Sequence, residues 1–171
     1  MSVRPVLIVD GYNVMNAGEP YATLAADDID AARARLVSDV AAYAQGERQA
    51  LVVFDAAENP LSDGRSHVVA DVEVVFSPFG IDADSVIEQT AAARRSAGHE
   101  VTVVTSDAQT QWAVMGAGVR RMSSAEFVSE IAGERAEHAE RNPSGSRKST
   151  IAERVDAEVS DVLARWARGE R

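Results

Sequence analysis

Three aspartates in this sequence close short apolar runs: Asp10 follows residues 6–9, Asp55 follows residues 50–54, and Asp107 stands just beyond residues 101–105. Asp84 and Glu88 are four residues apart, the spacing that puts two side chains on one face of a helix. If the runs are neighbouring strands, these carboxylates collect at one edge of a sheet. Carboxylates brought together repel one another, and a proton or a hard cation must resolve the repulsion. Mg²⁺ and Mn²⁺ favour carboxylate and water ligands and engage substrate phosphates. The pattern therefore points to metal-assisted phosphate chemistry. A single strand-ending Asp is also a common cap or turn residue, so it is the set that carries the reading.

The elements that must position these groups alternate along the chain. Apolar runs at residues 6–9, 50–54 and 72–76, with residues 101–105 and 119–122, predict five strands, the first of them marked as a buried parallel strand. After a loop holding Gly18 and Pro20, Ile29, Ala32, Leu36, Val40 and Tyr43 recur at helical spacing, with Asp27 or Asp28 as cap and Gly46 as stop. Further helices are expected over residues 82–97, through Trp112 and Met115, and from a Ser123–Glu126 capping box onward. Strand and helix alternating in this way imply an α/β fold, with a mostly parallel five-stranded sheet and right-handed crossovers. Ligands of such sheets bind beyond the carboxyl ends of the strands. Residues 1–138 read as one domain, 139–149 as a linker and 150–171 as an amphipathic helix. That helix has its own capping box, Thr150 with Glu153, and one apolar face of Ile151, Val155, Val159, Val162, Leu163 and Trp166. It either packs on the domain or binds a partner.

Composition narrows the class. With 171 residues, 46% of them apolar, the chain can bury a core without disulfides or a structural metal. The absence of cysteine excludes a disulfide scaffold, a thiolate metal site and a thiol nucleophile. The run at residues 6–9 is too short for a signal-peptide core, and no segment approaches the roughly 20 apolar residues of a membrane helix. No membrane partner and a cytoplasmic address are the expectation; the oligomeric state is left open. The net charge of −10 is unevenly spread. Residues 1–138 hold 21 acids and 10 bases, residues 139–171 hold 6 acids and 7 bases, and Arg141, Arg147 and Lys148 cluster without an acid from 141 to 148. A nucleic-acid partner is therefore compatible with the overall acidity. The glycine-rich phosphate loops and the G-x-S-x-G nucleophile elbow are absent, and His67, His99 and His138 form no local ligand motif. An aspartyl-phosphate phosphatase would have an acid two residues after its first strand-ending Asp, where this chain has Tyr12.

Asp10-Gly-Tyr-Asn13-Val after a strand, Gly80-Ile-Asp-Ala-Asp84-Ser-Val-Ile-Glu88 opening a helix, and Val104-Thr-Ser-Asp107 with Gln111 resemble the NYN domain of the PIN-like nucleases. The Arg121-Met-Ser-Ser-Ala-Glu126 stretch resembles its YacP-like branch, and the similarity covers residues 6–132. The resemblance implies a PIN-like α/β/α sandwich and a metal-dependent endoribonuclease, associated with ribosomes and mRNA cleavage. It makes Asp10, Asp84 and Asp107 the site for Mg²⁺ or Mn²⁺ and Asn13 a polar helper. Gln109 stands where the broader NYN pattern has a further Asp; Asp55 and Glu88 are candidate outer ligands that the resemblance does not assign.

Metal bound by these carboxylates would lower the pKa of a bound water and stabilise charge on the scissile phosphate. The RNA would then need bases around the acidic site. Candidates are Arg33 and Arg35, Arg94 and Arg95, Arg120 and Arg121, and Arg147 with Lys148; Tyr12 and Tyr21 are the candidate stacking residues. Two other readings remain, a catalytically silent RNA- or ribosome-binding module and a small-molecule phosphohydrolase using the same edge.

Overall fold

Every residue of β1 (Val6–Asp10) is buried, and its side chains divide between two cores. Leu7 and Val9 point to one, Val6 and Ile8 to the other, as period-two alternation requires of a strand covered on both faces. In the computed structural model, which describes residues 3–108, 110, 118–141 and 149–170, β1 lies inside a six-stranded sheet. The other strands are β2 (Gln49–Phe54), β3 (Ser66–Val69), β4 (Val72–Phe76), β5 (Val101–Val104) and β6 (Val119–Met122). Their order is β3-β4-β2-β1-β5-β6, parallel throughout except for the β3–β4 pair.

One face carries α1 (Gly11–Ala17), α2 (Tyr21–Asp27), α3 (Ile29–Ala44), α5 (Ser124–Arg141) and α6 (Ser149–Ala167). The other face carries α4 (Ala83–Ser96), which buries Ala83, Ile87 and Ala91 against Ile8, Val53 and Val103. The expected caps at Asp28 and Ser123 form, and Asp82 adds one that was not expected from the sequence. Asp28 accepts from the N–H groups of Asp30 (3.0 Å) and Ala31 (3.2 Å), Asp82 from Ser85 (2.8 Å), and Ser123 from Glu126 (3.1 Å).

The structure adds one strand to the five expected. β3 returns antiparallel to β4 through a tight turn in which Ala70 (φ 50°) and Asp71 (φ 62°) both adopt left-handed backbone. Such turns normally announce themselves with Asn-Gly or Asp-Gly, and here they do not. The stretch read as a loop around Gly18 and Pro20 is flanked by α1 and α2, each seven residues long and too short to display a period.

α5 continues to Arg141, beyond the expected boundary at residue 138. α6 lies along α3, with Leu163 wholly buried in the same core as β1. Its end is held by Asn59 Nδ2, which donates to the Ala167 carbonyl at 2.7 Å, and by His67 stacked on Trp166 at 4.0 Å between ring centres. Gly169 approaches Leu61 so closely, at φ 77°, that no Cβ would fit there. The expected helix through Trp112 and Met115, Gln109 and Gln111, and the linker residues Arg147 and Lys148 lie outside the described residues, as do the side chains of the Thr150–Glu153 capping box. Among the described residues no helix is long and apolar enough to cross a membrane.

Candidate active site

The sheet is built outward in two directions from its middle. The chain runs from β1 to β2 and β4 on one side, then crosses by α4 to β5 and β6 on the other, so β1 and β5 flank the switch in strand order. At such a switch the two departing loops separate and leave a crevice beyond the carboxyl ends. Asp10 ends β1 there, and Thr105-Ser106-Asp107 follows β5 beside it. The chain leaves Asp10 through Gly11, where a Cβ would stand 2.4 Å from Phe54 Cε1. Only glycine lets α1 start this close to β2.

Asp10 is 9% exposed, and its carboxyl is pushed up to about 6, mainly by burial. The negative charge of Asp84 raises it further and that of Asp107 adds a smaller increment. Two contacts oppose these. The Thr105 hydroxyl donates to Asp10 Oδ2 at 3.2 Å, and the Asn13 backbone amide faces the carboxylate without closing a cap hydrogen bond. The charges of Asp84 and Asp107, which the resemblance grouped with Asp10, thus both reach the Asp10 carboxyl, although α4, β1 and the β5 loop are far apart in sequence.

Hydrogen bonds fix the surrounding loops. Thr105 Oγ1, itself wholly buried, also accepts from the Asp107 N–H at 3.1 Å, and Asp107 Oδ1 accepts from the Thr110 N–H at 3.0 Å. Asn13 Oδ1 accepts from the Ser106 N–H at 2.8 Å and from the Ser124 hydroxyl at 2.5 Å, while the Ser124 N–H donates to Ser106 Oγ at 3.0 Å. Asn13 therefore ties α1 to the β5 loop and to the start of α5. Thr105, Ser106 and Ser124 were not singled out in the sequence. The signal available was the run of hydroxyl residues between a strand end and its Asp.

Asp55 has a different part from the other strand-ending aspartates. It is exposed, and it accepts from its own loop at Ala57 (3.1 Å) and from the first N–H of α4 at Ala83 (3.0 Å). It anchors the helix that carries Asp84. Glu88 stands one turn further along α4, half-buried. Asp84 is not the α4 cap; Asp82 is, and Ser85, through its side chain first and its N–H second, lowers the Asp82 carboxyl.

Among the described residues, no three carboxylate or imidazole groups stand together at the spacing that would hold one ion directly. The donor set nevertheless fits a hydrated hard cation in chemistry. Mg²⁺ dehydrates reluctantly and is usually bound through one or two carboxylates, the rest of its shell being water and substrate phosphate. A buried carboxyl raised by two neighbouring negative charges is the arrangement a cation would relieve.

The candidate RNA-binding bases are distributed over the molecule. Arg33 is 11% exposed at its side chain, beside the carboxyl edge, and bonds to the Tyr12 hydroxyl and to Asp30. Arg94 binds Glu73 at 3.0 Å and Gln49 at 3.1 Å at the amino-terminal edge, where exposed Arg95 also stands against Gly118. These two lie at the opposite end of the sheet from Asp10. Arg120 and Arg121 are on the edge strand β6, and Arg35 pairs with Asp39 at 3.5 Å. Tyr12 is half-buried with its ring 5.2 Å from that of Phe54. Tyr21, expected as a stacking residue, is wholly buried, and its hydroxyl donates to Asp39 Oδ2 at 2.5 Å. Burial first, and Asp39 second, push that hydroxyl well above the usual phenol range. It is a core residue, because its single polar atom has a buried acceptor to satisfy.

Comparison with known proteins agrees with this architecture. Residues 7–168 match the family of YacP-like NYN domains. The chain is 32% identical over 175 residues to the uncharacterized protein YacP of Bacillus subtilis (strain 168), covering 96% of this chain and 98% of that one. It is similar to the crystal structure of Rae1 (YacP) from Bacillus subtilis, with a TM-score of 0.65, 30% identity, and coverage of 96% and 95%. A mutant form of the same protein gives a TM-score of 0.67 at 32% identity, covering 91% and 89%. The fold is nuclease-like, and the chain belongs to the YacP-like NYN domain family.

Proposed function

We propose that this protein is a metal-dependent endoribonuclease that hydrolyses RNA phosphodiester bonds, and that its substrate is mRNA on the ribosome. The observation that carries the reading is the Asp10 carboxyl, buried at the switch in strand order and raised by the charges of Asp84 and Asp107. A group so placed is costly unless the site uses it. Asp10, Asp84 and Asp107 would hold Mg²⁺ or Mn²⁺, which when bound supplies an activated water and neutralises charge on the scissile phosphate. The chain's own residues set the stage. Thr105 orients the Asp10 carboxylate by donating to Oδ2 and holds the Asp107 backbone with the same oxygen. Asn13 keeps the Asp107 loop against α5, and Asp55 keeps the first turn of α4, with Asp84, against the end of β2.

The test is cleavage of end-labelled single-stranded RNA and of an mRNA under translation, with Mn²⁺ or EDTA. Endonucleolytic products that need the ion and fall by orders of magnitude in Asp10→Asn are expected. Products formed equally in EDTA would overturn the metal, and cleavage of free RNA unaltered by ribosomes would overturn the ribosomal substrate. A second reading, an RNA- or ribosome-binding module without catalysis, draws on the lack of three directly ion-spaced ligands among the described residues. Binding without cleavage in either assay would favour it.

A further inference from the structure

Next to the carboxylate edge, and outside the three-aspartate site, is an open cavity of about 490 Å³. Its walls come from five separate elements: Tyr12 on α1, Arg33 on α3, the loop after β2 with Asp55 and Glu58, Phe76 at the end of β4, and Ala167 at the end of α6. Asp55 links it to the site, since the same carboxylate that lines the cavity binds the first N–H of the helix carrying Asp84.

The polar groups here are unusual for mere packing. The Arg33 guanidinium is almost fully enclosed, 5.4 Å from the centre of the Tyr12 ring, 6.0 Å from Phe54 and 5.7 Å from Phe76. Its Nε and one terminal nitrogen both donate to the Tyr12 hydroxyl oxygen, and the other terminal nitrogen binds Asp30. A guanidinium has five N–H donors and these contacts use three. A hydroxyl that accepts twice has its own proton left to donate, and burial, the largest influence, raises the Tyr12 hydroxyl so that the proton stays. The cavity therefore combines a protonated hydroxyl and an aromatic-caged cation with two carboxylates, Asp55 and the exposed Glu58.

Two carboxylates against one cation make a poor phosphate site. They suit a ligand that presents donors and acceptors side by side. Guanine does this along one edge: O6 accepts, while N1–H and the N2 amino group donate. Adenine offers one amino donor on that edge and no ring N–H, and the pyrimidines are smaller. Arg33 or Tyr12 can donate to O6, and Asp55 or Glu58 can accept from N1–H and N2. A volume of about 490 Å³ is within the usual size of small-ligand pockets.

We infer that this cavity is a base-recognition subsite that receives a guanine of the bound RNA, with Arg33 and Tyr12 facing its O6 and Glu58, with Asp55, facing its N1–H and N2 groups. This rests on the reading of the chain as an RNA nuclease, and it adds a sequence preference to that reading.

The experiment measures binding separately from cleavage. Fluorescein-labelled heptamers, all adenosine or with a single central guanosine or inosine, are titrated in EDTA and followed by anisotropy. The guanosine heptamer should bind about tenfold tighter than the adenosine one, the discrimination expected of a two-point base contact. Inosine, which lacks the N2 amino group, should fall between them. Glu58→Gln, at an exposed position that should not disturb folding, should bring the heptamers to within about twofold, and Tyr12→Phe should reduce the gap in part. Equal binding of the three heptamers, no binding of any, or a guanosine preference intact in both variants would overturn the subsite. Cleavage with Mn²⁺ but no guanosine preference would leave the nuclease standing and remove the subsite. A guanosine preference without cleavage would do the reverse.

Discussion

Thr105 and Asp10 meet across the β1–β5 pair, the wholly buried threonine hydroxyl donating to the aspartate Oδ2 at 3.2 Å. That hydrogen bond favours the ionised carboxylate, and burial with two neighbouring negative charges works against it; the balance leaves the carboxyl at about 6. The predictions below turn on this balance.

Asp10 should destabilise the metal-free protein as pH rises. The unfolded chain ionises it at its ordinary value of 3.8, the folded one at about 6, so the folded state binds more protons in between. Stability attributable to this group is therefore full below about pH 4 and is lost as pH climbs to 6. At pH 7, Asp10→Asn should be more stable than the parent by up to about 3 kcal/mol, a gap that closes at pH 4. Urea denaturation in EDTA across pH 4 to 7 measures it. A gap independent of pH would show that the carboxyl is not raised.

Thr105→Val keeps the shape and removes the hydroxyl. The Asp10 carboxyl should then titrate above 6, and the protein should lose about 1–2 kcal/mol because the Asp107 N–H loses an acceptor. A carboxyl NMR titration of Asp10 reads the first effect directly. An Asp10 midpoint unchanged in this variant would remove Thr105 from the site.

Asp84→Asn separates the site reading from a capping one. Asp82 already caps α4, so the substitution costs no cap and relieves a charge on Asp10. In EDTA the variant should melt at or slightly above the parent temperature, whereas the rise produced by Mn²⁺ should shrink because a weaker ligand set raises Kd. Thermal melts with and without the ion check both halves. A full Mn²⁺ shift in the variant would free Asp84 of any ligand role.

Asn13→Ala should cost about 2–3 kcal/mol, since it leaves the wholly buried Ser124 hydroxyl and the Ser106 N–H without their acceptor. Asn13→Asp restores an acceptor but brings a fourth negative charge beside Asp10. It should recover much of the stability below pH 5 and little at pH 8, which chemical denaturation at the two values distinguishes.

Much of this arrangement was legible in the sequence because it is local. The apolar runs ending in Asp10 and Asp55, the 3.6-residue spacing from Ile29 to Tyr43 and the caps Asp28 and Ser123 each act within a few residues, and they formed as read. β3 escaped because Ala70 and Asp71 make its turn without the residue types that signal one, and α1 and α2 because seven residues hold less than two full helical turns. The roles of the side chains were less visible. Asn13 meets Ser106 and Ser124 at separations of 93 and 111 residues, and Asp55 meets Ala83 at 28. No spacing rule reaches that far. Arg33 and Arg94 look alike as members of arginine pairs, yet Arg33 stands near the start of α3 and Arg94 near the end of α4, and helices that cross between parallel strands run from the carboxyl edge back to the amino-terminal one, so the two reach opposite ends of the sheet.

The packing of α6 sets an order of events during synthesis. Leu163 completes the core that β1 begins, and Ala167 closes a wall of the cavity beside Asp55. While a nascent chain still has these residues in the exit tunnel, α3 has no partner along that flank and the core stays open, even though chains tend to fold from the N-terminus onward. A polypeptide stalled before residues 149–167 emerge therefore lacks the α6 layer over α3 and one wall of that cavity, while Asp10, Asp84 and Asp107 stand on elements already synthesised.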